Sequence, residues 1–288
     1  MNRLNVLMAF SEGERYVDKS LRDDWCTLLD SGAFANFTRE KQVVTVEDYA
    51  DYLKRRGHLF WRYFNLDVIG DVEGSERNLR FLRENGLNPI PIFQRGGTSE
   101  QLQDMLEHND LVGIGGVAGR LNKKEDAAYF DQVMQIVGKR FVHVLGCGSE
   151  KILARYRPFS ADSSSFVLRN GTLITWFDER LFKLQLKEQL LLNGKPASSN
   201  KVLLARICDE FSIRSSDLWT QTFYGKDPAR IVGYRSAIRY QRHLQTRYNI
   251  KHFIAAQDHD RRLVSIAWDK ENTTSIPVSR LKWLKENT

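Results

Sequence analysis

The sequence predicts an α/β protein: a (β/α)8 TIM-type barrel followed by a basic, mainly helical C-terminal appendage. Over residues 1–180, short apolar runs alternate about eight times with amphipathic stretches, as strands and helices do in such a barrel. Beyond residue 180 the chain becomes more helical and more basic. We therefore predict a catalytic barrel over 1–180 and a nucleic-acid-binding region over 181–288. A doubly wound open sheet is the alternative that periodicity leaves open.

The elements follow from apolar runs and from capping residues. Thr45 suits a helix start and Gly57 its end, Ser75 and Gly86 bound a second helix in the same way, and Thr98 opens a third. The predicted strands occupy eight short apolar runs. They are residues 5–9, 27–29, 59–66, 89–93, 111–114, 141–145, 158–161 and 172–176.

Charge is distributed unevenly along the chain. The net charge is +7, and residues 181–288 hold 19 Lys and Arg against 10 Asp and Glu, whereas 1–180 hold 24 against 26. This asymmetry favours a polyanionic partner for the C-terminal third. Within it Arg235, Arg239 and Arg242 share one helical face and are predicted to contact phosphates, and we consider base stacking by the nearby aromatic residues. These are Tyr234, Tyr240 and Trp219.

Cysteines and hydropathy limit the class of protein. Cys26, Cys147 and Cys208 are far apart and form no CxxC pair, so we expect neither a disulfide framework nor a zinc site. No apolar run approaches the roughly 20 residues of a membrane helix, and the N-terminus lacks a signal-peptide cleavage site. We expect a cytoplasmic protein without a membrane partner. The sequence predicts no oligomeric state.

Polar or glycine residues follow the predicted strands. They are Asp30, Asp67, Gln94, Gly115, Gly116, Gly146 and Asp162. In a parallel barrel these strand ends converge on one face, where such folds carry their sites. Two carboxylates in different environments could there divide the roles of nucleophile and general acid or base, as in attack on a glycosidic carbon.

Each of these residues also has a purely structural interpretation. Asp30 before Ser-Gly is typical of a turn, Asp67 and Asp71 could cap a helix, and His143 in mid-strand is typical of a satisfied core residue. Only their joint arrangement favours a site. A non-catalytic nucleic-acid-binding barrel is therefore a second hypothesis.

Five segments resemble the tRNA-guanine transglycosylase family in order and spacing over roughly residues 1–175. DSGAF at 30–34 is similar to its DSGG-aromatic motif, GIGGVAG at 113–119 to its GGLAVG segment, and HVLGCGSEKIL at 143–153 to its LMGVG segment. NLDVIGD at 65–71 and FSADSSSF at 159–166 fall where the family has a base-recognising and a nucleophilic aspartate. The resemblance implies a TIM barrel that exchanges guanine for a free 7-deazaguanine, its co-substrate, through an aspartyl–C1′ intermediate.

The resemblance also implies individual roles. Asp162 would be the nucleophile, Asp30 the general acid/base or its close partner, and Asp67 the ligand of the purine's Watson–Crick edge. Gln94, or alternatively Arg95, would hydrogen-bond the base. The backbone of Gly115, Gly116 and Val117 would meet the 7-substituent. Phe34 and Leu145 would sandwich the ring, and Gly146 would also bind the base.

Departures from the family motifs decide the expected polymer. The cysteines cannot form the family's zinc site, Ala33 replaces a motif glycine, and Ser163 to Ser165 replace Pro-Thr-Arg. These features are similar to the compact DNA-directed relatives of phages and bacterial DNA-modification islands, which implies DNA as partner, in the host cytoplasm for a phage protein. The same exchange on tRNA, and hydrolysis without reinsertion of a base, remain alternatives.

Overall fold

The computed structural model describes residues 3–10, 21–33, 37, 44–116, 124–168, 171–186, 190–218, 227–256 and 260–273. Its strands are β1 Leu4–Ala9, β2 Trp25–Asp30, β3 Arg62–Tyr63, β4 Ile92–Phe93, β5 Val112–Ile114, β6 Val142–Val144, β7 Ser160–Ser163, β8 Thr172–Phe177, β9 Arg180–Leu186, β10 Leu190–Leu192, β11 Lys195–Pro196 and β12 Lys251–Ala255. Its α-helices are α1 Val46–Arg56, α2 Val72–Glu84, α3 Ser99–His108, α4 Lys124–Val137, α5 Glu150–Tyr156, α6 Lys201–Phe211, α7 Asp227–Tyr248 and α8 Arg261–Thr273. Short 3-10 helices cover Gly57–Leu59, Ala197–Asn200 and Ser215–Leu218.

Eight parallel strands form the main sheet. Their order is β3-β2-β1-β12-β7-β6-β5-β4. The end strands meet at a single parallel bridge between Phe64 and Ile90, where Asn65 N donates to Ile90 O (2.9 Å) and Ile90 N to Tyr63 O (2.8 Å). The predicted α/β architecture with eight parallel strands is confirmed. The sheet is curled like part of a barrel, and no ladder of strand pairs closes it between the described end strands β3 and β4.

One predicted strand of the barrel is wrong. Residues 172–176 lie in β8, which belongs to a separate antiparallel sheet of order β11-β10-β9-β8. The eighth parallel strand is β12, which inserts between β1 and β7 through the pairs Val6↔Ile254 and Phe253↔Asp162. Phe253 is fully buried, so this late segment supplies core as well as backbone pairing.

The chain divides into two compact units that are discontinuous in sequence. The first comprises residues 1–164 and 243–258, and the second comprises 165–242 and 259–288. The predicted boundary after residue 180 therefore differs from the division in the structure, because β12 returns to the first unit. The second unit also contains the four-stranded sheet, so it is less purely helical than predicted. Among the helices described here, none has the length and apolar character to cross a membrane.

Caps fix the helices that follow the site strands. Thr45 Oγ1 accepts from Asp48 N at the start of α1, and Thr98 forms a capping box with Gln101 at the start of α3, as their spacing predicts. Helix α2 begins before the predicted Ser75, because Asp71 caps it by accepting from Gly74 N (2.9 Å). Within the 65–71 segment, Asp71 is therefore the residue that caps α2, and Asp67 is available for another role.

Apolar side chains of the main-sheet strands and of their flanking residues pack together in a core. A buried cluster comprises Leu7, Cys26, Leu28, Phe64, Ile90, Ile92, Leu111 and Phe253. Trp61 stacks on Phe253 with ring centroids 5.5 Å apart, and Lys251 Nζ lies 4.1 Å from the Trp61 ring centroid. Burial of such aromatic side chains contributes about 1.5–3 kcal/mol each. The interior is therefore a packed core that supports the strand ends.

Candidate functional site

The carboxyl edge of the main sheet gathers the predicted acids. Asp30 is the last residue of β2, Asp162 lies within β7, and Asp67 follows the bridge residue Phe64. Gln94 directly follows β4, and Gly115 directly follows β5. Because all of these strands are parallel, their carboxyl ends share one edge, as the sequence predicts.

Asp162 is held from two sides. Its Oδ1 accepts from the backbone N–H of Gly146 (2.9 Å) and lies 3.1 Å from His143 Nε2. His143 is fully buried, and its Nδ1 lies 2.9 Å from Ser160 Oγ. With Nε2 protonated, the ring donates to Asp162 Oδ1, and its Nδ1 lies within hydrogen-bond distance of the Ser160 hydroxyl. Strand pairing of His143 with Ser160 sets this geometry.

Asp30 combines a turn with an unusual charge environment. Its Oδ1 accepts from Gly32 N (2.7 Å), and Gly32 has φ +84°, which favours glycine. Burial raises the pKa of Asp30 to about 6; the Gly32 bond opposes that rise, and the charge of Asp162 adds to it. Asp30 is therefore partly protonated near neutral pH and can donate or accept a proton.

Asp67 belongs to a fixed hydrogen-bonded group. Gln94 Nε2 donates to Asp67 Oδ2 (2.9 Å) and to Ser75 Oγ (3.0 Å), while Gln94 Oε1 accepts from Gly70 N (3.0 Å). Burial raises the pKa of Asp67 to about 7, and the charge of Asp30 raises it further, against the Gln94 bond. The Gln94 amide thus orients Asp67. A ligand that binds Asp67 Oδ2 would have to replace its hydrogen bond from Gln94 Nε2.

Arg95 does not share the position of Gln94. Its guanidinium pairs with Asp126 of α4 and lies 5.2 Å from the Tyr129 ring centroid. Because Arg95 is committed to α4, the structure favours Gln94 in the predicted choice between the two. Gln94 is therefore the side chain of this pair that contacts the candidate base-binding acid Asp67.

The predicted backbone contacts are only partly available. Gly115 is buried and its N–H donates to Phe93 O (2.9 Å), whereas Gly116 is exposed with φ +73°. The N–H of Gly146, predicted to bind the base, is used by Asp162. Leu145 is partly buried and packs on the interior cluster. Gly116 and Leu145 therefore remain the better candidates for ligand contact.

Three predicted ligand contacts lie outside the described residues. They are Phe34 and Val117 at the base, and Trp219 at the nucleic acid. Their proposed roles therefore depend on the sequence alone.

The phosphate-contact prediction for the arginine face is wrong for Arg235 and Arg239. Arg235 is buried and donates to Glu271 Oε1 (2.7 Å) and to Phe211 O (2.6 Å). Arg239 donates to Glu271 Oε2 (2.9 Å) and Glu210 Oε1 (2.7 Å). Ion pairs within the second unit thus satisfy both guanidinium groups.

The other predicted contact residues of this helix are partly or fully buried. Arg242 donates to Asn272 Oδ1 (2.8 Å) and is about two-thirds buried. Tyr234 and Tyr240 are buried, and Tyr240 packs on Trp176 with ring centroids 5.0 Å apart. Both rings are therefore core side chains, the structural role that aromatic residues at helical spacing commonly have.

Cysteines contribute no reactive group to the described site. Cys26, Cys147 and Cys208 are all buried free thiols. Burial raises the pKa of Cys147 to about 11, and the charge of Asp162 acts in the same direction. A thiol with such a pKa is a poor nucleophile at neutral pH. In the described ranges, no group of three or more His, Cys, Asp or Glu is arranged to hold a metal ion.

His143 is the residue that sequence reasoning assigned to the core. It is indeed fully buried, but its ring contacts the carboxylate of Asp162. Its position 19 residues before Asp162 carries no local signal of this contact. Only the pairing of β6 with β7 could have predicted it.

Comparisons of the chain with protein-family models, with curated proteins and with solved structures find no match. The similarity of its motifs to transglycosylases therefore remains a prediction.

Proposed function

We propose that this protein exchanges guanine in DNA for a free 7-deazaguanine, such as 7-cyano-7-deazaguanine, through a covalent aspartyl–C1′ intermediate. The observation that carries the proposal is the contrast between two neighbouring carboxyl groups. Asp162 is held by two hydrogen-bond partners, while burial raises the pKa of Asp30 to about 6. Such a contrast suits a nucleophile beside a general acid.

The chemistry divides into two balanced steps. An oxygen of Asp162 attacks the deoxyribose C1′ as the C1′–N9 bond breaks, and the guanine leaves with that electron pair and a proton from Asp30. The incoming base then gives its N9 proton to the Asp30 carboxylate, and its N9 displaces Asp162 from C1′. The pKa of Asp30 near 6 suits both proton transfers.

Recognition of the base falls to the fixed acid and amide. Asp67, oriented by Gln94, can accept from the guanine N1–H and N2–H2 groups when it is ionised. A guanine within a duplex must leave the stack before it can reach this edge. The retained alternative is the same exchange on tRNA, since both polymers present the same base.

A labelled-base assay tests the proposal. Duplex DNA, single-stranded DNA and tRNA carrying labelled guanine are incubated with the protein and 7-cyano-7-deazaguanine, and released label is counted. We expect release from DNA and a covalent protein–DNA band on a denaturing gel. Both should be absent from Asp162→Asn and retained by Asp110→Asn, whose carboxylate is 72% exposed and pairs with Arg62. Release from tRNA alone would assign the alternative, and release from no polymer would refute base exchange.

A further inference from the structure

Two exposed aliphatic side chains directly follow Asp67. Val68 is 39% exposed and Ile69 is 36% exposed. In the described part of the chain, they are the exposed large apolar residues that are adjacent in sequence; the others are isolated. Leu59 and Phe141, for example, precede β3 and β6 and so belong to the opposite edge of the sheet. An apolar tip at residues 68–70 therefore directly follows the site residue Asp67.

Hydrogen bonds fix the backbone of the 68–70 tip. Asp71 N donates to Val68 O (2.9 Å), and Val68 N donates to Ser75 Oγ (2.8 Å). Gly70 has φ +87°, and its N–H donates to Gln94 Oε1 (3.0 Å). A tip held in this way loses little conformational entropy when its side chains contact a partner.

The same amide joins the tip to the candidate base-binding acid. Gln94 binds Gly70 through Oε1 and Asp67 through Nε2. The positions of the apolar side chains are thereby fixed relative to the carboxylate. A base bound at Asp67 and a partner bound at Val68 would therefore contact the same hydrogen-bonded group.

We propose that Val68 and Ile69 enter double-stranded DNA and fill the space left by the extruded guanine. This proposal rests on the proposed function. Apolar wedge residues offset the loss of stacking when a base leaves a duplex. A protein partner is less suited to the tip, because a stable interface buries about 800 Å² on each side and two side chains cannot supply that area.

The test compares strands rather than activity alone. The double variant Val68→Ser, Ile69→Ser is assayed for guanine release from one oligonucleotide as a single strand, as a duplex, and as a duplex with an abasic site opposite the target. We expect the duplex rate to fall by about 10–100-fold, because unstacking costs a few kcal/mol. The single-strand rate should stay near wild type, and the abasic duplex should recover most of the loss.

A matched variant and an optical readout complete the experiment. Leu59→Ser removes an exposed aliphatic side chain at the opposite edge of the sheet and should leave all rates unchanged. A duplex with 2-aminopurine at the target should brighten on binding wild type but less with the tip variant. Equal losses on single and double strands, or equal brightening, would overturn the wedge. Absence of release from every strand by wild type would refute the proposed function instead, and the fluorescence would still decide the wedge.

Discussion

Asp30 accepts a hydrogen bond from Gly32 N, as a turn residue does, and its pKa also responds to the charge of Asp162. The turn fixes one oxygen of the carboxyl group, while burial disfavours its charged form. The structural and the chemical interpretation of Asp30 therefore describe the same side chain. The turn that ends β2 therefore also places the Asp30 carboxyl group at the carboxyl edge of the sheet.

The raised pKa values predict how stability depends on pH. Asp30 and Asp67 have folded pKa values of about 6 and 7 against 3.8 unperturbed, so the folded protein binds more protons than the unfolded chain between about pH 4 and 7. The free energy of unfolding should therefore fall as pH rises through this window and level off above it. At pH 8, Asp30→Asn should raise it by about 1–3 kcal/mol, as measured by urea denaturation.

The control for this effect has the opposite sign. A hydrogen bond from Arg62 lowers the pKa of Asp110, so Asp110→Asn should lower stability slightly at pH 8 rather than raise it. At pH 4 the Asp30→Asn gain should largely vanish, because the native acid is then protonated. Destabilisation by Asp30→Asn at pH 8 would contradict the assigned burial of the charge.

His143 is predicted to act on Asp162 as a positioning residue. His143→Phe retains an aromatic ring but removes the donor at 3.1 Å from Asp162 Oδ1. A hydrogen bond to a charged group contributes about 1.5–3 kcal/mol, so single-turnover adduct formation should slow by about 10–100-fold. KM should change little because the ring is fully buried. His143→Gln should recover part of the rate, and equal rates for the two variants would show that only packing is involved.

At the scale of elements, the sequence predicts where strands end better than which strands pair. Asp30 ends β2, and Gln94 and Gly115 directly follow β4 and β5, close to the predicted strand ends, because turn residues mark strand ends locally. Residues 172–176 and Lys251–Ala255 both lie in short strands, and long-range pairing assigns them to different sheets. For the same reason the contact of His143 with Asp162 could not be read from the chain.

The arginine face of α7 shows a second limit of periodicity. Arg235, Arg239 and Arg242 do lie on one face, because spacing determines direction. That face meets Glu271, Glu210 and Asn272, and spacing cannot tell a solvated surface from a buried ion-pair network.

This network predicts an effect on stability rather than on salt dependence. Arg235→Ala leaves Glu271 buried with one donor fewer, and breaking such a pair costs about 3–5 kcal/mol. Urea denaturation should show this loss, whereas the slope of DNA affinity against salt should match wild type. Arg214→Ala, at an 83% exposed residue, should leave the free energy of unfolding near wild type. If Arg235→Ala instead keeps wild-type stability and reduces the slope of DNA affinity against salt, Arg235 contacts phosphate.

At the scale of the whole molecule, charge asymmetry and unit boundaries do not coincide. The basic excess lies in residues 181–288, yet residues 243–258 of that region belong to the first unit. Part of its positive charge lies on Arg235 and Arg239, which form ion pairs with Glu271 and Glu210 inside the second unit. Net charge therefore indicates a polyanionic partner but does not locate the surface that meets it.

The interrupted order of the first unit makes a prediction about truncation. A chain of residues 1–180 lacks β12, so β1 and β7 lose their shared neighbour and the core loses the buried Phe253. Two open parallel edges favour aggregation, and we expect this fragment to be insoluble.

A permuted chain that joins residues 243–258 through a 15-residue Gly/Ser linker to residues 1–164 restores the missing strand, and such a linker has a root-mean-square span of roughly 20 Å. It should be soluble and unfold cooperatively in urea. A cooperative transition from 1–180 alone would show that β12 is dispensable, and the division of the chain would then follow the sequence-predicted boundary.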